Sequence, residues 1–218
     1  MPVVVAPRPG LEPAGWLEPA LAALNRGGIV LFPTETVYGI GVRADNPAAL
    51  GRLRELKGKP ANAPLLLHCA DFDRLTGWVE PLPDSARRLA ERYWPGPLAL
   101  VLGRGQLASA ALTGGRGTVG VRVVAEPAGR ALLAALDCPL AGTSANLHGQ
   151  PPVADFKRLD PDLLAAVDVA IDAGNCGPGI ASTVLDLSGE EPALIRAGAV
   201  PVSELESLLG WRLGTPGR

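Results

Sequence analysis

Four cations and a dispersed set of small polar side chains are the residues here best equipped for chemistry. Lys57 and Lys59 flank a glycine in Lys57-Gly58-Lys59-Pro60, Arg122 sits inside the apolar run Thr118–Val124, and Arg196 closes another short run. Thr36, Thr118, Ser144, Asn146 and Ser182 supply hydroxyls and an amide. Guanidinium and ammonium groups neutralise phosphate charge while hydroxyls fix orientation, so this mixture suits a polyphosphate together with a small polar ligand. An arginine in mid-strand is costly to bury unpaired, which implies that Arg122 faces an anion or a carboxylate. His68 ends the apolar run Pro64-Leu65-Leu66-Leu67. Each residue also has a structural explanation when taken singly. The lysines beside a helix end would complement its dipole for about 0.3–1 kcal/mol, and a solitary histidine often serves a core.

These side chains need elements to hold them. Gly28-Ile29-Val30-Leu31 reads as a buried strand, and it delivers Phe32-Pro33-Thr34-Glu35-Thr36-Val37-Tyr38-Gly39-Ile40-Gly41 at its exit. Pro33 ends the ladder, and ligands of open α/β sheets bind beyond strand carboxyl ends. Read alone, the stretch serves equally well as a tight turn capped by hydroxyls. Helices are expected over about 16–26, from the Asn46-Pro47 cap to Lys57, over 71–78, over 83–94, over 127–136 and over 202–209. Strands are expected at 64–69, 98–102, 118–124, 139–142, 167–171 and 182–187, with a short segment at 193–196. Period two places Thr118, Gly120 and Arg122 on one strand face and the valines on the other. The alternation argues for an α/β domain, with a strand order that local pattern does not reveal.

Composition removes several classes. The 218 residues are 47% hydrophobic and 19% charged, enough for one large domain with an ordinary globular core. A net charge of −2 argues against a chain whose main task is coating nucleic acid, so any polyanion site is local. Cys69, Cys138 and Cys176 are odd in number and form no CxxC pair, so neither a disulfide framework nor a zinc site is expected. Prolines break the N-terminal stretch, and no run approaches a membrane span, so a cytoplasmic protein without membrane contact is expected. The phosphate loop GxxxxGK[ST], a dinucleotide GxGxxG following a strand, and the hydrolase HExxH and GxSxG patterns are missing.

Six segments in order, Phe32 to Gly39, Lys57 to Pro60, Pro64 to His68, Thr118 to Arg122, Ser144 to Asn146 and Ser182 to Val184, resemble the YrdC-like threonylcarbamoyl-AMP synthases. The resemblance runs from about Gly28 to Gly198. It implies an α/β fold, a twisted mixed sheet with flanking helices around a large concave cavity, in a single domain over 1–218 with its core at about 14–209. It implies an enzyme, a nucleotidyltransferase that makes threonylcarbamoyl-AMP and pyrophosphate from L-threonine, bicarbonate and ATP for tRNA modification. Carried over by position, it places Thr36, His68, Arg122, Ser144 and Ser182 around threonine, with Arg122 on its carboxylate. Lys59, Ala63, Thr118, Asn146, Ala154 and Arg196 fall around ATP, the two alanines through backbone or packing. Lys57, Lys59 and Arg196, with Mg2+ arriving with ATP, would neutralise charge as a threonine carbamate attacks the α-phosphate; no protein metal ligands are expected. Further partners implied are tRNA and the transfer proteins of tRNA modification.

Two departures stand out. The family's Lys-x-Arg becomes Lys57-Gly58-Lys59, and an ammonium cannot reproduce bidentate phosphate contacts. Some members also carry a second C-terminal domain, whereas here a closing helix and the Gly214–Arg218 tail follow the family domain, so the single-domain form is expected. Two rivals are weighed: an RNA-binding or ribosome-associated module without catalysis, and a carbamoyl-transfer relative. Scarce aromatics speak against the first, and the missing zinc-binding cysteines against the second.

Overall fold

The computed structural model describes residues 1–7, 13–147 and 149–214. Part of the proline-broken N-terminal stretch and the end of the tail, 215–218, lie outside the described residues. In chain order the elements are β1 (Val3–Val5), α1 (Pro13–Asn25), β2 (Val30–Phe32), β3 (Gly39–Arg43), α2 (Pro47–Leu56), β4 (Leu66–Cys69), α3 (Asp84–Tyr93), β5 (Leu98–Gly103) and α4 (Ala110–Thr113). They continue with β6 (Thr118–Val123), α5 (Pro127–Ala134), β7 (Leu140–Ser144), α6 (Pro161–Ala165), β8 (Val169–Ile171), β9 (Thr183–Asp186), β10 (Ala193–Arg196) and α7 (Val202–Leu209). The ten strands of the described residues form one mixed sheet in the order β1-β8-β2-β3-β7-β4-β6-β5-β9-β10. Among the described residues no helix is long and apolar enough to cross a membrane.

Side chains alternate across this sheet and produce two cores. Leu31, Ile40, Val42, Leu67, Val121 and Leu185 join one cluster with Leu50 and Leu53 of α2. Val30, Phe32, Leu140, Val169 and Ile171 join another, packed with Leu17 and Leu24 of α1 and Leu132 of α5. On the second face the helices cover one side of the sheet and leave the middle strands bare. Their register explains why. Gly39 pairs with Ser144, Gly142 with Leu66, Leu66 with Gly120, and His68 with Arg122, so these residues share that face. Small and polar residues there leave room that a row of leucines would fill.

Most local expectations agree with the structure. Asn46 caps α2, its Oδ1 accepting from the Ala49 amide at 3.1 Å ahead of Pro47. The helix expected over 71–78 is only a single 3-10 turn, Asp73–Leu75. Gly77, with φ of 79°, ends it, and the Gly77 carbonyl then receives the Leu107 amide, so the segment runs along the chain after β5 instead of coiling. Three elements were absent from the sequence reading, β1, β3 and α6. The glycine-rich loop after β5 also contains α4, capped by Ser109.

Candidate active site

The stretch 33–38 folds around hydroxyls. Thr34 Oγ1 accepts from the Val37 amide at 3.3 Å and donates to the Val37 carbonyl at 2.7 Å, closing a local turn. A hydroxyl carries one proton, so Thr36 must donate to Thr34 Oγ1 at 2.9 Å while accepting from Arg122 Nη2 at 3.0 Å. Arg122 Nη2 also donates to Glu35 Oε1 at 2.8 Å, and Nε donates to the Gly96 carbonyl at 3.2 Å. Glu35 Oε2 accepts from the Ala125 amide at 3.0 Å. The carboxylate that a mid-strand arginine requires is thus Glu35 of the same chain. The Nη1 group of Arg122 has no hydrogen-bond partner among the described residues, which leaves its two donors for a ligand.

A cleft of about 210 Å³ opens on the bare sheet face, and Lys59, His68, Arg122, Ser144, Ser182 and Arg196 all line it. Strands far apart in sequence supply them. Arg196 enters because the pairing of β10 with β9 shifts register between Leu194 and Arg196, a bulge that re-aims the side chain. Its guanidinium donates to the Ser182 carbonyl at 2.8 Å and to Ser182 Oγ at 3.0 Å. Lys59 Nζ donates to Thr143 Oγ1 at 3.1 Å. Burial, with Arg196 and Arg54 nearby, holds the Lys59 ammonium below the usual lysine range.

His68 is buried edge-on against Phe32, with ring centroids 5.3 Å apart. Burial and the neighbouring Arg122 charge push its pKa down to about 3, so the imidazole is neutral near pH 7. Its Nδ1 is buried without a partner. A Cβ at Gly142 would stand 3.3 Å from that atom and 2.9 Å from the Ile40 carbonyl, so glycine keeps the space beside the ring.

The other predicted residues lie elsewhere. Thr36 is fully buried behind Arg122 rather than in the cleft wall. Lys57 is buried behind residues 144–146 and lines neither the cleft nor the neighbouring groove. Asn146 and Ala154 line that groove, of about 790 Å³, which begins where the cleft's Ser144 wall ends. The Ala154 carbonyl already accepts from the Cys176 amide at 2.9 Å. Thr118 and Ala63 line neither space; Arg54 Nε holds the Ala63 carbonyl at 2.8 Å. An apolar cleft of about 340 Å³ between α3 and α5 holds none of the predicted residues.

Glu35, Thr34 and Arg54 were not assigned roles from sequence. Glu35 could have been matched to Arg122 by charge, whereas Arg54 looked like one more exposed helix residue. Lys59, Arg122 and Arg196 line the cleft, and among the described residues no carboxylate does, Glu35 pairing with Arg122 from outside it. That excess positive charge favours an anionic ligand. Among the described residues no group of three or more His, Cys, Asp or Glu could hold a metal ion.

Comparison with known proteins gives a consistent result. The family model described as "Telomere recombination", Sua5/YciO/YrdC, matches residues 22–198. A threonylcarbamoyl-AMP synthase of Pyrococcus abyssi is 38% identical over 191 residues, covering 88% of this chain and 56% of the relative. One of Bacillus subtilis is 36% identical over 192 residues, with the same two coverages. The chain therefore spans little more than half the length of these relatives. The crystal structure of P. abyssi Sua5 complexed with L-threonine superposes with a TM-score of 0.90 at 36% identity, over 98% of this chain and 62% of that one. With the family model matching most of its length, this chain belongs to the Sua5/YciO/YrdC family.

Proposed function

We propose that this protein is an L-threonylcarbamoyladenylate synthase, converting L-threonine, bicarbonate and ATP into threonylcarbamoyl-AMP and pyrophosphate. The observation that carries the reading is the uncommitted Nη1 of buried Arg122, facing an amino-acid-sized cleft edged by Lys59 and Arg196. A cleft of about 210 Å³ is smaller than drug-sized ligand pockets, which start near ~300 Å³, and suits threonine rather than a whole nucleotide. The nucleotide would extend past Ser144 and Asn146 into the larger groove, with its phosphates at Lys59 and Arg196.

In this reading Arg122 receives the threonine carboxylate, and Ser144, Ser182 and neutral His68 orient the rest of the amino acid. Thr36 contributes by holding Arg122. The threonine amine attacks carbon dioxide, losing a proton to solvent, or bicarbonate, whose C–O bond breaks and releases water, and either route gives a carbamate. A carbamate oxygen then attacks the α-phosphorus, the bond from that phosphorus to the bridging oxygen breaks, and pyrophosphate leaves. Lys59 and Arg196 offset the charge on the departing phosphates, so catalysis is mostly positioning and electrostatics. Mg2+ enters as part of the nucleotide substrate. A His68 with so low a pKa is no general base near pH 7. The product would pass to a cytoplasmic transfer step on tRNA adenosine, carried out by partner proteins, and the chain would act as a single domain.

The test is incubation with ATP, Mg2+, bicarbonate and L-threonine, with pyrophosphate release as the readout. Release that requires threonine and bicarbonate is expected. Equal release without threonine refutes the substrate assignment.

A further inference from the structure

We infer that Lys57 is a positioning residue, which ties down the wall between the small cleft and the large groove and does not itself contact phosphate. The inference rests on the proposed function of the site. An ammonium has three donors. Lys57 Nζ donates to the Ser144 carbonyl at 2.9 Å, to the Asn146 carbonyl, and to Asn146 Oδ1 at 3.3 Å, so all three are committed. The side chain is buried and reaches neither space.

The knot it joins is closed in the same way. Asn146 Oδ1 also accepts from Ser144 Oγ at 2.5 Å, and Nδ2 donates to the Leu147 carbonyl at 3.1 Å and the Gln150 carbonyl at 2.6 Å. The Asn146 amide is therefore spent within its own loop. Ser144 faces the cleft and Asn146 the groove, and two peptide units keep their Cα atoms within about 7.6 Å. One buried ammonium thus holds both the cleft side and the groove side of a single wall. Lys59, two residues on, differs. It lines the cleft and has one bond, to Thr143 Oγ1, so it keeps donors for phosphate. The two lysines of one short motif divide into a clamp and a ligand group.

Lys57→Met and Lys59→Met in the full chain would separate the roles, with calorimetric titration of L-threonine, ATP and inorganic pyrophosphate. Losing the clamp is expected to weaken both L-threonine and ATP by about tenfold or more and leave pyrophosphate within about twofold of wild type. Lys59→Met is expected to weaken pyrophosphate and ATP by about tenfold and leave L-threonine within about threefold. Lys57→Arg provides a second arm should Lys57→Met fail to fold. A phosphate ligand would tolerate that change, whereas a clamp site shaped for an ammonium would lose L-threonine and ATP affinity. Loss of pyrophosphate affinity in Lys57→Met matching that in Lys59→Met overturns the inference, as does unchanged affinity for all three ligands. A wild-type chain that binds pyrophosphate and ATP but not L-threonine refutes the proposed function, and the ATP and pyrophosphate titrations still decide Lys57.

Discussion

Replacing Glu35 with alanine removes the only carboxylate bonded to Arg122 among the described residues, with the Arg122 side chain 4% exposed and that of Glu35 20% exposed. Breaking a buried pair on one side costs about 3–5 kcal/mol, because a charge stays behind without compensation. The partial exposure of Glu35 and the surviving bonds from Arg122 to Thr36 and Gly96 place the cost near the lower end, at about 3 kcal/mol. For a chain of this size that lowers Tm by about 6–12 °C. Urea and thermal unfolding of Glu35→Ala, Glu35→Gln, Arg122→Met and the double variant Glu35→Ala/Arg122→Met would measure it. The glutamine variant keeps one acceptor oxygen and should lose about 1–2 kcal/mol. The double variant should recover part of the loss, since no buried charge remains. A loss below about 1 kcal/mol in Glu35→Ala, or a double variant as unstable as the summed singles, would refute this account of the ion pair.

Acid should unfold the protein partly through His68. Its pKa falls from 6.5 in the unfolded chain to about 3 in the folded one, so the unfolded state binds more protons between those values. Stability is full above pH 6.5 and declines as the pH drops toward 3, by on the order of 4 kcal/mol; a His68→Phe variant with the same decline between pH 7 and 4 would contradict this. Arg122→Ala should weaken L-threonine by more than about tenfold and ATP by less than about threefold, while Lys59→Ala should show the opposite bias; equal losses in direct titrations would reassign both residues. Gly177→Ala should cost about 1–3 kcal/mol in thermal unfolding, because its Cβ would overlap the Glu35 carbonyl and press on the arginine's partner. Gly51→Ala, inside α2 with nothing within 4 Å of the added carbon, should instead stabilise by about 0.5–1 kcal/mol, and a destabilised variant would mean that α2 packs differently.

Legibility from sequence differed by element. The helices at 47–56 and 202–209 and the strand at 118–123 carry their own signals: a cap and proline, a four-residue apolar period, an alternating valine face. β1 is three valines whose partner, β8, lies more than 160 residues downstream, so its local composition says little. The false helix at 71–78 had suitable residue types, and Leu75 and Trp78 do reach the core, but Gly77 and the return pairing beside β5 turned it aside.

The site divides along the same line. Residue type and local pattern alone already identified the cations, the hydroxyls, a buried arginine in need of a carboxylate and a strand ending in histidine. They also marked 32–41 as the stretch at which a site would be organised. Side-chain contacts decided which groups remain free. Lys57 and Lys59 are alike in sequence, yet one spends every donor on the carbonyls of 144 and 146 and the other faces open space. Thr36 proved to be a relay to Arg122, and Glu35 its counter-charge. Such assignments depend on strand register from β3 through β7, β4, β6, β5 and β9 to β10, which brings Thr34 and Arg196, 162 positions apart, to one cleft. Composition and periodicity are properties of neighbours along the chain. Donor occupancy is a property of neighbours in space, and only the folded sheet defines those.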